Sequence, residues 1–165
     1  MPAGYDGSLP PGAAPPYSGA MAGTYKTSPA RRRIDRIMAA LGRRGLAPAG
    51  VSALTVVGRR TGVPHTVPVT PITVGGRRYL VAPYGAVGWV HNIRAAGEAT
   101  LERGSRVERI RVEELAPDAA APVLKEYVRL VPLVRPHVAA HHEADVSAFV
   151  AVAPDHPVFA LTTVG

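Results

Sequence analysis

Residues 58–65 read GRRTGVPH, two adjacent arginines in a tight turn that is either a solvated connection or a grip for an anion. Arg59 and Arg60 offer forked guanidinium donors that match phosphate or carboxylate oxygens. Thr61 adds a hydroxyl, Gly62 frees the turn's backbone amides, and His65 adds a weaker, pH-dependent cation. A second stretch, APYGAVGW (82–89), is too short and wrongly spaced for a Walker loop and is not the dinucleotide pattern G-x-G-x-x-G. Ala82, Pro83, Tyr84, Gly85 and Gly88 instead make a flexible turn delivering free N–H groups at a helix start, where negative charge is welcome. Trp89, the single tryptophan, shares a helix face with Ile93 and Ala96 and is followed by Asn92 and Arg94.

Other chemistries fit less well. His137, His141, His142, Glu143 and Asp145 invite a metal reading, since histidines at i and i+4 share a helix face. The H-E-x-x-H arrangement is absent and Pro136 interrupts a continuous helix, so no metal is expected. The chain has no cysteine, which excludes disulfides, thiolate metal sites and cysteine nucleophiles. No nucleophile elbow, Ser-His-Asp order or helically spaced carboxylate pair supports hydrolysis.

The formal net charge is +7. Residues 1–94 carry twelve Lys or Arg against two acids, whereas residues 95–165 carry seven against ten. The acid-poor half, which holds both motifs, is the side to search for an anionic ligand. Aromatic residues are only 5% of the chain and none interleaves a basic run, so nucleic acid is not an expected partner. No apolar run is long enough to span a bilayer, and the N-terminus lacks a secretory pattern. A cytoplasmic location follows as the expectation.

The elements that must position these motifs can be read from periodicity. Residues 1–28, with five Pro and five Gly and no period, predict a disordered arm. Ser28-Pro29 predicts a helix start, and Ile34, Ile37, Met38 and Leu41 form its apolar stripe among four arginines. Such an amphipathic, arginine-rich segment (29–44) also suits peripheral contact with an anionic membrane, at the inner face of the plasma membrane. From Leu54 the period becomes two. Strands are predicted over 54–57, 65–74, 77–82, 99–103, 106–112 and 157–164, with hairpin turns at Gly75-Gly76 and Gly104-Ser105. A short helix is expected within 85–97 and a longer one from about 118 to 131. Residues 29–165 thus predict a single α+β domain, mainly β, whose six antiparallel strands close into a small barrel.

LTVVGRRTGVPHTVPV, then RRYLVAPYGAVGWVHNIRAAG, then an RxRVEEL-like strand end resemble the deazaflavin-dependent nitroreductase family over about residues 50–115. These are small split-barrel oxidoreductases related to the FMN-binding barrels. The resemblance implies coenzyme F420, a deazaflavin with a phosphodiester and an oligoglutamate tail. It places that anionic tail at Arg59, Arg60, Thr61, Gly62 and His65, a position where the family commonly has arginine. It places the ring along Ala82, Pro83, Tyr84, Gly85, Gly88 and Trp89, with Asn92 and Arg94 beside it. Arg77 and Arg78 are further candidates for the tail. Reduced F420 would pass a hydride to an electrophilic small molecule such as a quinone, enone or nitroaromatic, with Tyr84 and Trp89 as the catalytic candidates. The tyrosines that the family carries near residues 137–145, lining the substrate cavity, are missing here. A non-catalytic F420- or lipid-binding relative, an FMN-binding barrel and the oligomeric state all stay open.

Overall fold

The computed structural model describes residues 50–165 apart from Gly104. The arm expected over 1–28 and the helix expected over 29–41 lie outside the described residues. The chain first runs through β1 (Ser52–Val57), β2 (Pro64–Val69), β3 (Ile72–Val74) and β4 (Arg77–Val81). Helix α1 (Gly88–Ala96) leads to β5 (Glu98–Arg103) and β6 (Arg106–Glu114). Helix α2 (Pro117–Leu130), a 3-10 turn (Pro132–His137), α3 (Val146–Val152), a second 3-10 turn (Ala153–Asp155) and β7 (Val158–Val164) complete it.

The strands form one antiparallel sheet in the order β2-β1-β5-β6-β7-β4-β3. One expectation needs correction: the sheet has seven strands, not six, because the run 65–74 breaks at Thr70-Pro71. Pro71 has no N–H with which to continue a ladder. Residues before it pair with β1, and residues after it pair with β4. The two halves are therefore the two edges of the sheet, joined by two residues, so the sheet must curl until its ends approach. The hairpin between β3 and β4 follows its sequence signal, with Gly75 and Gly76 at φ 57° and 79°.

Strand alternation sends neighbouring residues into two cores. Leu54, Val56, Leu80, Leu101, Ile110 and Phe159 fill the inside of the curl with Val90 and Ile93 of α1. Val81 and Val158 face the other way, against Leu124, Tyr127 and Val128 of α2 and Phe149 of α3. Each fully buried large side chain contributes about 1.5–3 kcal/mol, and the inner set fixes α1 onto β1. Gly97 ends α1 at φ 71° and donates its N–H to Ile93 O at 2.8 Å. Because α1 is seated this way, Trp89 and Asn92 arrive beside the β1–β2 turn.

Candidate active site

The β1–β2 turn closes through Gly58 N to Val63 O and Gly62 N to Gly58 O, both 2.8 Å. It winds tightly: a Cβ on Gly58 would stand 2.9 Å from His65 Nε2 and 3.0 Å from Thr61 Oγ1. Asn92, buried on α1, ties the turn to the helix. Its Oδ1 accepts from Arg59 Nη1 at 3.0 Å and from the Arg59 backbone N at 3.3 Å. The guanidinium of Arg59 is thereby fixed in direction, while Arg60 is exposed beside it.

A hollow of about 500 Å³ opens between turn and helix, lined by Gly58, Arg59, Arg60, Thr61, His65, Val67, Val87, Gly88, Trp89 and Asn92. No carboxylate lines it. No side chain caps α1, so the first-turn amides at Gly88 and Trp89 present their positive end to the same space. Trp89 is half-buried, its ring 5.9 Å from that of Phe159, and forms an apolar wall. Two guanidiniums, an imidazole and an open helix start thus face one flat, apolar wall across the same hollow.

A second hollow, about 520 Å³, opens at the 83–86 part of the same segment. Pro83, Tyr84, Gly85, Ala86, His137, Pro154, Asp155 and His156 line it. Tyr84 meets the His137 ring edge-on at 4.8 Å. Gly85 holds φ 83°, a conformation that side chains with a Cβ rarely adopt, and its N–H reaches Ala82 O at 3.2 Å. His156 is buried, and that burial pushes its imidazole below the usual histidine range. Burial likewise drives the Tyr127 phenol upward, with nearby Tyr84 adding to the effect and a hydrogen bond to Thr70 opposing it.

The sequence candidates thus divide. Arg59, Arg60, Thr61, His65, Gly88, Trp89 and Asn92 share the first hollow, whereas Pro83, Tyr84 and Gly85 share the second. Ala82 is buried, and Gly62 shapes the turn without lining either space. Arg94 turns to Glu114 instead, with bonds of 2.8 and 2.6 Å to its carboxylate. Arg77 pairs with Glu113 at 3.2 Å and Arg78 with Glu108 at 2.7 Å, so neither lines the first hollow. The donor atoms of His141, His142 and Glu143 lie within 4.8 Å of one another on the surface, while His137 stands apart against Tyr84. Sequence reasoning missed Pro154, Asp155 and His156; the only signal was a polar D-H-P step just before an apolar strand.

A sequence model of the F420H(2)-dependent quinone reductase family matches residues 29–153. The chain belongs to that family. It is an F420H2-dependent oxidoreductase with a split-barrel fold. A Listeria innocua protein named for pyridoxamine 5′-phosphate oxidase superposes with a TM-score of 0.50 at 13% identity, over 81% of the reductase and 94% of its own chain. An Agrobacterium tumefaciens protein of unknown function gives 0.51 at 16% identity, over 71% of the reductase and 49% of its own chain. These two share the fold. An F420-H2 dependent reductase structure also matches, with a TM-score of 0.48 and 18% identity over 68% of the reductase and 94% of its own chain. A search of curated proteins found no match. No helix among the described residues is long and apolar enough to cross a membrane.

The residues present fit the cofactor's chemistry. An anionic tail needs cations with no competing carboxylate, and the first hollow has that composition. A planar ring needs backbone donors and an apolar face, which the uncapped start of α1 and Trp89 offer.

Proposed function

We propose that the reductase reduces a quinone-type acceptor, with its cofactor's tail at the β1–β2 turn and its ring along residues 82–89. The observation that carries the reading is the pairing of Arg59 and Arg60 with the uncapped start of α1 around one acid-free hollow. When bound, reduced F420 supplies a hydride, two electrons and a proton delivered together. The protein's own residues do the rest. Arg59 and Arg60 hold the anionic end, and Asn92 keeps Arg59 aimed. The amides at the start of α1 favour the charge that reduced deazaflavin carries. Trp89 excludes water from one face. The Tyr84–His137 pair walls the second hollow, which supports it as the acceptor's approach, and either group can hold the proton that a reduced quinone oxygen needs. A lipophilic acceptor also agrees with membrane contact through residues 29–44, a proposal that sedimentation with anionic vesicles at low salt tests.

Equilibrium titration with F420 and FMN, followed by turnover with a soluble quinone, an enone and a nitroaromatic, tests the assignment. F420 is expected to bind more tightly than FMN, and the quinone to give the highest kcat/KM. Tighter FMN binding would overturn the cofactor placement, and an inert quinone the acceptor.

A further inference from the structure

The two hollows are opposite in charge. The first has two guanidiniums and no carboxylate, whereas the second has the Asp155 carboxylate and, among the described residues, neither arginine nor lysine. Arg135, close to His137 in sequence, turns away and spends its guanidinium on the carbonyl oxygens of Val128 and Arg129, at 3.2 and 3.3 Å. While its two imidazoles are neutral, the second hollow therefore carries a negative formal charge.

Hydrogen-bond donors are scarce there as well. Pro83 and Pro154 have no N–H to offer. Gly85 donates its N–H to Ala82 O at 3.2 Å, and His156 its backbone N–H to Ala153 O at 3.0 Å. The His156 ring is buried and forms the floor, with the carbonyls of Pro83 and Ala82 facing it. A neutral imidazole has one N–H, and those carbonyls take it, so the floor gives an incoming anion no donor. Tyr84 is 56% exposed, and the face of an aromatic ring is its negative side, a better neighbour for a cation than for an anion. An anion entering here loses hydration and gains little in exchange.

We propose that the second hollow selects its occupant by charge, admitting neutral and cationic molecules and turning away anionic ones, with Asp155 as the specificity-determining residue. Joined to the reading of this hollow as the acceptor's approach, on which that step rests, the acceptors of the reductase are uncharged or cationic quinones. The same sorting separates the two ligands: Arg59 and Arg60 draw the anionic cofactor to the first hollow, and Asp155 keeps it from the second.

Three naphthoquinones test this: the parent, one carrying a sulfonate, and one carrying a trimethylammonium group at the same ring position. Their binding to isotope-labelled protein without cofactor is followed by NMR in low salt at about pH 8, above the range in which histidine gains charge. The amides of Gly85 and Ala86 report on the second hollow, so a sulfonate held by Arg59 and Arg60 in the first does not enter the measurement. At those amides the ammonium probe is expected to show a Kd about two- to fivefold below that of the parent, and the sulfonate probe one about two- to fivefold above it. High salt is expected to bring the three together, as is Asp155→Asn, which keeps the shape of the side chain. Equal affinities, a tighter sulfonate probe, an order that survives Asp155→Asn, or no shift at Gly85 and Ala86 with any probe overturns the proposal. Should the variant fail to fold, the wild-type order and its loss in salt decide. Turnover by the F420H2-loaded enzyme checks the acceptor reading separately: the loss of kcat/KM on Asp155→Asn is expected to be largest for the ammonium quinone and to become a gain for the sulfonate. Charge selection in binding with none in turnover would refute the acceptor's approach and leave the selectivity of the hollow standing.

Discussion

Asn92 sits 33 residues from Arg59 in sequence yet holds it twice, and removing that hold should weaken cofactor binding without touching the cofactor. The bond to the guanidinium is charge-assisted, in a class worth about 1.5–3 kcal/mol, and the longer backbone bond adds about 0.5–1 kcal/mol. Both are only part-buried, so water replaces some of this, and Asn92→Ala should cost about 1–2 kcal/mol of stability. The loss for binding is different in kind. A freed Arg59 must be immobilised again when the anion arrives, at about 0.5–1.5 kcal/mol for a rotamer-rich side chain. That corresponds to a rise in Kd of roughly two- to tenfold. Asn92→Asp separates aim from charge. The carboxylate keeps Arg59 in place but cancels its field at the anion, so binding should weaken more than in Asn92→Ala and lose salt dependence. The assay is a double-mutant cycle on F420 affinity, with melting curves confirming folding. If Asn92 works through Arg59, Asn92→Ala adds nothing in an Arg59→Ala background. Additive losses, or an Asn92→Asp variant that binds as well as wild type, would refute the reasoning.

The Arg59→Ala/Arg60→Ala variant should raise Kd for F420 about ten- to a hundredfold and flatten its salt dependence, as titration at two ionic strengths would show. Gly85→Ala should cost about 1–2 kcal/mol through its φ of 83° rather than by collision, and should lower turnover at saturating cofactor more than affinity; single-turnover kinetics separate the two. Burial alone would raise the Glu108 carboxyl, but Arg78 and then Arg106 hold it below the usual value. That stability is present above the unfolded carboxyl's pKa near 4.5 and is lost as pH falls through the lower native one, so Arg78→Ala should cost about 1–3 kcal/mol by denaturant titration at pH 7, and little in strong acid. His156 acts in a higher window: its depressed imidazole leaves stability intact above about 6.5 and erodes it as pH falls toward the native pKa, so His156→Gln should flatten melting temperature across that range.

Local signals carried most of the fold. Strand alternation, the Gly75-Gly76 turn and the stop at Gly97 are decided by neighbours in sequence, and the structure follows them. The division of 65–74 is half-visible in its prolines, which confine such a run to an edge or a bulge, but they do not show that its two halves pair on opposite sides of the sheet. Helix α3 gave no signal because its seven residues, VSAFVAV, have neither a polar face nor a capping bond. In the site, the arginine turn and the glycine segment were legible as motifs. What joins them was not, since the Asn92–Arg59 bond, the Arg94–Glu114 pair and the floor made by His156 depend on tertiary packing between distant segments. The same holds for Arg77 and Arg78, which meet Glu113 and Glu108 one strand beyond their immediate neighbour β7.

The prolines on β2 bear on how the molecule meets copies of itself. Pro64 and Pro68 stand four residues apart in the same outward register of an edge strand, opposite Val57 and Ala53. A proline in such a strand faces outward the side on which its N–H is missing, because the inward side is needed for the ladder. Thr66, lying between them, is then the one residue of β2 with a donor to offer a passing strand. A backbone comb with most of its teeth removed is a poor template for strand addition, and it guards the hairpin that carries Arg59 and Arg60. Replacing both prolines with valine would restore those donors and convert the edge into a site for polymerisation.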